Sequence, residues 1–168
     1  MQILRNGTSA AKRLAALVVA TLALTACNEN DQTGPVEIRW DKESCARCAM
    51  AISDRKYSAQ VRGGPAGSKT KVFKFDDIGC VVIWLDQQPW KDDPRTEVWV
   101  TDYRNGNWID ARKASYVTGM VTPMGYGLGA QSDTSEGSLD FTAASKHIYQ
   151  VEGAEHKHRG EHMHDMGH

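Results

Sequence analysis

Apolar and polar positions alternate most cleanly in "TEVWVTDY", Thr96 to Tyr103, which predicts a strand. "YSAQVRG" (57–63) alternates well enough for another, and "TKVFKF" (70–75) sets Val72, Phe73 and Phe75 in a β-rich run. The loop "GGPAGSK" separates them. "DDIGCVVIWLDQQ" (76–88) has the length of about three helical turns, with Asp76 or Asp77 as N-cap and Pro89 just beyond its end. Its Val81, Val82 and Ile83 also suit a strand. Asn105-Gly106 is a hairpin signal, and "WIDARKASYVTG" (108–119) carries the returning strand or strands. "VEIRW" (36–40) reads as a first strand, and "SLDFTAASKHI" (138–148) as a helix capped by Ser138. The order strand, strand, helix, strand is thus visible once, with a weaker second copy after it. The class is α+β.

The ends differ in kind. Residues 1–26 hold Arg5, Lys12, Arg13 and no acid, then the apolar run Leu14–Ala26. That run is too short to span a bilayer as a helix and has the order of a secretory signal. It closes on Leu24-Thr25-Ala26-Cys27, similar to a lipoprotein box in which Cys27 is lipidated, so the chain is expected to be anchored at a membrane rather than to cross it. Residues 27–35 are polar with Gly and Pro and read as a tether. Residues 36–153 form the folded domain. Residues 154–168 read as a disordered tail, because five of the chain's six histidines and two methionines gather there with nothing to build a core.

Removing the signal changes the charge. Of 20 Lys+Arg it takes three and of 21 Asp+Glu none, leaving 17 against 21 and a net of −4. Nucleic-acid binding needs a basic footprint, so no nucleic-acid partner is expected. With Cys27 committed to lipid, Cys45, Cys48 and Cys80 remain, too few for a disulfide framework.

The chemistry concentrates in "CARCAM", Cys45 to Met50. Haem attachment needs histidine after the second cysteine, and Ala49 stands there. A redox couple needs a preceding buried strand, and the segment before Cys45 is the charged "DKES". Structural zinc needs four ligands and would have to borrow Cys80 or the tail. A local disulfide with Met50 in the core is the plainest alternative. Met50 tilts the balance, because a thioether is a poor ligand for Zn²⁺ and a good one for Cu(I). Cys48 and Met50, two apart, share a face of an extended segment and leave room for a third donor. Met124, in a Pro/Gly-flanked loop, is a further ligand candidate. Cys80, amid Ile78, Val81 and Val82, reads as a buried small hydrophobe, and His147 as a surface residue. The tail residues His156, His158, His162, Met163, His164, Met166 and His168 make a secondary metal-gathering composition. No acid/base pair or nucleophile constellation stands out, so an enzyme is not expected.

The motifs "CARCAMAISDRKYSAQV", "FKFDDIGCVVIW" and "TPMGYGLGA", in that order after a lipoprotein signal, resemble the NosL family. The resemblance covers most of residues 40–131. It implies two strand-strand-helix-strand units and a lipid-anchored copper-binding protein facing the bacterial periplasm. It also implies delivery of Cu(I) toward the copper-sulfide centre of nitrous oxide reductase, with an ABC-type transporter complex as docking partner. The family motif falls on Cys45, Cys48 and Met50, and its later methionine segment on Met124. The alternative from another class is a lipoprotein thiol-disulfide oxidoreductase using Cys45 and Cys48.

Overall fold

The structure is a computed structural model that describes residues 33–135 and 138–165, with side chains as far as Ala154. The segment 1–26, Cys27 and most of the tether lie outside the described residues.

Four antiparallel strands form the main sheet: β1 (Ala59–Gly63), β2 (Lys71–Phe75), β3 (Glu97–Thr101) and β4 (Trp108–Asp110), in the order β2-β1-β3-β4. The register pairs Ala59 with Phe75 and Val100, and Val61 with Phe73 and Val98, so these six share one face. Helix α1 (Ile78–Asp86) covers that face. Trp84 packs its ring 4.6 Å from Phe73 and 5.3 Å from Phe75, and Trp90 closes the group at 5.8 Å from Trp84. The β-branched run in α1 is helical because its ends are tied. The Asp77 carboxylate accepts from Gly79 N at 2.9 Å, and the amides of Gln87 and Gln88 donate to Trp84 and Leu85 carbonyls.

The opposite face of β1 carries Gln60 and Arg62, yet both are buried. "VEIRW" is the reason, although it forms no strand. It lies across the sheet as an extended strap. The Gln60 amide accepts from Val36 N at 2.9 Å and donates to Val36 O at 2.7 Å, taking the place of a ladder neighbour. Arg62 Nε donates to Gly34 O at 3.0 Å, and Gly34 N to Glu97 Oε2 at 2.7 Å.

The second half comprises β5 (Ser115–Val117), β6 (Gly129–Gln131) and helix α2 (Phe141–Asp165). The two strands pair antiparallel, and Leu139 bridges to Tyr116 beside them. The first unit completes strand-strand-helix-strand as expected; after α2 no strand follows among the described residues. The α2 cap is Asp140, whose carboxylate accepts from Ala143 N at 2.8 Å. Ser138, expected there, instead donates its hydroxyl to Ser135 O, because Leu139 is still extended against Tyr116. The backbone of 154–165, read from sequence as a disordered tail, continues α2. That stretch has no proline, and Ala154, Glu155, Lys157, Arg159, Glu161 and Met163 are good helix formers.

Asp102 joins the halves. Its buried carboxylate accepts from Arg104 Nη2 at 2.7 Å and Nε at 2.9 Å, and from Ser132 N at 3.1 Å just past β6. The Arg104 guanidinium holds the Asp102 carboxyl well below the usual carboxylate range. A depressed folded-state pKa contributes stability above the unfolded value of about 3.9, lost as pH falls further. Asp102→Asn is expected to cost about 2–3 kcal/mol near neutral pH. In urea melts, the gap from wild type should narrow as pH drops below about 4. A gap unchanged at acid pH would show that the charge on Asp102 contributes nothing.

Candidate metal centre

The CARCAM segment is a closed turn. Glu43 and Ile52 bond across it, Ser44 pairs with Ala51, and Cys45 N donates to Met50 O at 2.8 Å. Ala49 N returns to Cys45 O at 3.0 Å, which puts Ala49 at φ 63°, a left-handed conformation that costs an alanine about 1–2 kcal/mol. Ala46 N donates to Lys74 O at 2.8 Å, clamping the turn onto β2. Lys74 itself reaches Glu43 Oε2 and Glu37 O, each at 2.7 Å.

This clamp sets Cys45 and Cys48 against the junction of β2 and α1, where Asp76 and Cys80 sit. One donor atom from each of Cys45, Cys48, Asp76 and Cys80 lies within 4.8 Å of every other. All three cysteines are free thiols, so the local disulfide is not formed. Cys45 and Cys80 are buried and Cys48 is half-buried, with its Sγ 3.5 Å from Asp76 Oδ2. Metal–sulfur bonds of about 2.3 Å around a tetrahedral ion place sulfurs roughly 3.8 Å apart. The four donors need only small inward shifts to grip one ion.

The electrostatics favour a single thiolate. The Cys80 thiol, donating to Cys45 Sγ, pulls Cys45 down to about 4, against the opposing effect of burial; backbone amides of the turn help. Cys80 is held far above the ordinary thiol value by that same bond and by burial. Burial pushes Cys48 up to about 11 and Asp76 up to about 6.

Asp77, buried beside Asp76, accepts from Met124 N at 3.3 Å as well as capping α1. It therefore draws the loop "TPMGYGLGA" over the helix start. Gly125 and Gly127 have φ 73° and 72°, conformations open to glycine, and they turn the loop so that Tyr126 points inward. The Tyr126 ring lies so close over Gly79 that a Cβ there would collide with it. The Tyr126 hydroxyl accepts from Arg47 Nη1 at 2.9 Å and donates to Glu152 Oε2 on α2 at 2.5 Å. Arg47 Nη2 bonds Glu152 Oε1 at 2.5 Å, and its Nη1 stands 4.0 Å from Cys80 Sγ.

Of the residues singled out from sequence, Cys45 and Cys48 are thus in the cluster. Met50 is on the outer side of the turn with 51% of its surface exposed, and Met124 is partly buried against the core. His147 is not free on the surface: its Nε2 lies 3.0 Å from Tyr126 O. The side chains of His156, His158, His162, Met163 and His164 lie outside the described residues, as do Met166 and His168. Sequence reasoning left out two members. Cys80 is indeed buried, but its thiol faces the other donors, and Asp76 is no cap. The available signal was spacing: Asp76 and Cys80 are four apart across a helix start capped by the residue between, so both fall on one side.

Two substitutions should move stability in opposite directions. Ala49→Gly should raise it by about 0.5–1 kcal/mol by relieving the left-handed alanine. Gly79→Ala should lower it by about 1–3 kcal/mol through collision with Tyr126, despite the better helix propensity of alanine. Denaturant midpoints check both, and a stabilised Gly79→Ala would show that Tyr126 is free to move aside.

A family model described as NosL matches residues 35–146. Among solved structures, the chain is similar to the copper chaperone NosL from Shewanella denitrificans at 21% identity, over 71% of this chain and 89% of that one, with a TM-score of 0.46. No curated protein matches.

Proposed function

Because this chain belongs to the NosL family, we propose that it is a Cu(I) metallochaperone and that Cys45, Cys48 and Cys80 hold the cargo, with Asp76 at its edge. The observation that carries this reading is the convergence of three thiols and one carboxylate within 4.8 Å. Thiolates are soft donors, and Cu(I) is soft and accepts two or three of them. Burial of Cys45 and Cys80 keeps water and oxidants from the ion. The half-buried Cys48 and the exposed Met50, two residues on, form the way out. An incoming donor on a client displaces Cys48 first, beside the exposed Met50, so the ion moves by ligand exchange and is never free. Met124, on the neighbouring loop tied to Asp77, is the further thioether within the same region.

In this reading copper is cargo and the protein catalyses no reaction. Its client is nitrous oxide reductase, which receives copper for its copper-sulfide centre, and an ABC-type transporter complex docks the chaperone. A lipid on Cys27 would hold the protein to a bacterial membrane, facing the periplasm. The lipoprotein-like signal and the family membership support this placement. A thiol oxidoreductase would present its low-pKa cysteine to partner disulfides; Cys45 is 3% exposed, which favours the carrier.

Anaerobic Cu(I) titration against a competing chelator tests the reading. Cys45→Ser, Cys48→Ser and Cys80→Ser should each weaken binding by on the order of 100-fold or more, since each removes one of few soft donors. Met50→Ala should weaken it less and slow transfer. If Cys80→Ser binds as wild type does, Cys80 is only core and the ligand set is wrong.

Binding should also release protons, because the thiols of Cys48 and Cys80 are protonated at neutral pH and thiolate is the ligand. Affinity should therefore fall as pH is lowered from 7.5 to 6. An affinity flat over that interval would point to thioether-only ligation.

A further inference from the structure

The ligand set alone does not choose between ions. Three thiolates and a carboxylate suit tetrahedral Zn²⁺ as well as they suit Cu(I). What differs is the charge left behind. Around Cu(I), three thiolates leave two negative charges; around Zn²⁺ they leave one. The difference is one unit whatever protons the empty site carried, because the empty site is the same starting point for both ions. A fixed charge nearby therefore biases the site between them by its Coulomb interaction with that one unit.

The fixed charge is at hand. Arg47 sits between the two cysteines of the motif, and its guanidinium Nη1 stands 4.0 Å from Cys80 Sγ. It does not titrate in the accessible pH range. It is held there by the hydroxyl of Tyr126 at 2.9 Å and the carboxylate of Glu152 at 2.5 Å, while Gly79 lets the Tyr126 ring lie close enough to do so. The Arg47 side chain is 23% exposed and that of Glu152 19%, so solvent screens neither fully. Glu152 opposes the effect: it supplies a negative charge to the same guanidinium from the far side. We propose that Arg47 is a specificity-determining residue that biases this site toward a monovalent over a divalent ion, with Glu152 setting how much of its charge the site feels. The proposal rests on the cluster being the metal site.

The pair gives a test in which electrostatics and structural support have different signs. Full-length wild type, Arg47→Gln, Arg47→Lys and Glu152→Gln would be titrated anaerobically with Cu(I), and separately with Zn(II), each against a competing chelator. The readout is the ratio of Cu(I) to Zn(II) affinity. With one unit of charge at about 6 Å and an effective dielectric of ~20, Arg47→Gln should lower that ratio by on the order of 10- to 100-fold. Glu152→Gln should raise it by a smaller factor, and Arg47→Lys should keep it near the wild-type value. If Arg47 and Glu152 served only to fasten the turn to α2, both neutral variants would weaken the two ions together and leave the ratio alone. A ratio unchanged in both, or shifted the same way in both, overturns the proposal; Glu152→Gln alone decides the sign if Arg47→Gln does not fold. Wild type that binds neither ion would instead refute the metal-site reading itself, an outcome seen before any variant is made.

Discussion

The Asp77 carboxylate is the constraint from which the site follows. It accepts from Gly79 N and from Met124 N, so one group both starts α1 and draws in a loop from the other half of the chain. Starting the helix at that point, rather than one residue earlier, leaves Asp76 outside it as the last residue before the cap. Cys80 then falls on the first turn, facing the same space. Had the chain been capped by Asp76, the cysteine would be rotated by about 100° relative to the sheet. The cluster is therefore a consequence of which of two adjacent aspartates caps.

The protein places hard demands on burial around that point. Asp76, Asp77, Cys45 and Cys80 are each at most 3% exposed. Buried polar groups are tolerable only when partnered, and no buried side-chain nitrogen or oxygen is left without a partner among the described residues. Cys80 faces Cys45, Cys48 sits against the carboxylate of Asp76, and Arg47 brings charge from the side. A cluster so arranged is already assembled, which would limit the reorganisation needed to bind an ion under the proposed function.

Much of the first half was legible because it is local. Alternation in "TEVWVTDY" and "YSAQVRG", the aspartate before the apolar run and the Asn105-Gly106 turn each depend on neighbours in sequence. "VEIRW" failed as a strand because its partner is a side chain: nothing in the pattern of Val36–Trp40 shows that Gln60 will stand in for a ladder. Ser138 failed as a cap because Leu139 has a tertiary partner in Tyr116. At the site, the CxxC pair announced itself, and its family resemblance brought a function with it. Cys80 was masked by its apolar neighbours, since the same environment describes a core residue and a thiol aimed at other donors. Arg47 carried no signal at all; its placement needs Tyr126 and Glu152, 79 and 105 residues away in sequence.

The strap from Gly34 to Val36 has a mechanical consequence. It runs antiparallel to β1, with Gly34 bonded to Arg62 and Val36 to Gln60. A pull on the chain upstream of it would load these bonds together, in shear, rather than peel them one at a time. Force arriving from the amino-terminal side would thus be spread across the middle of the sheet, on the face away from α1, before it reached the turn that carries Cys45 and Cys48.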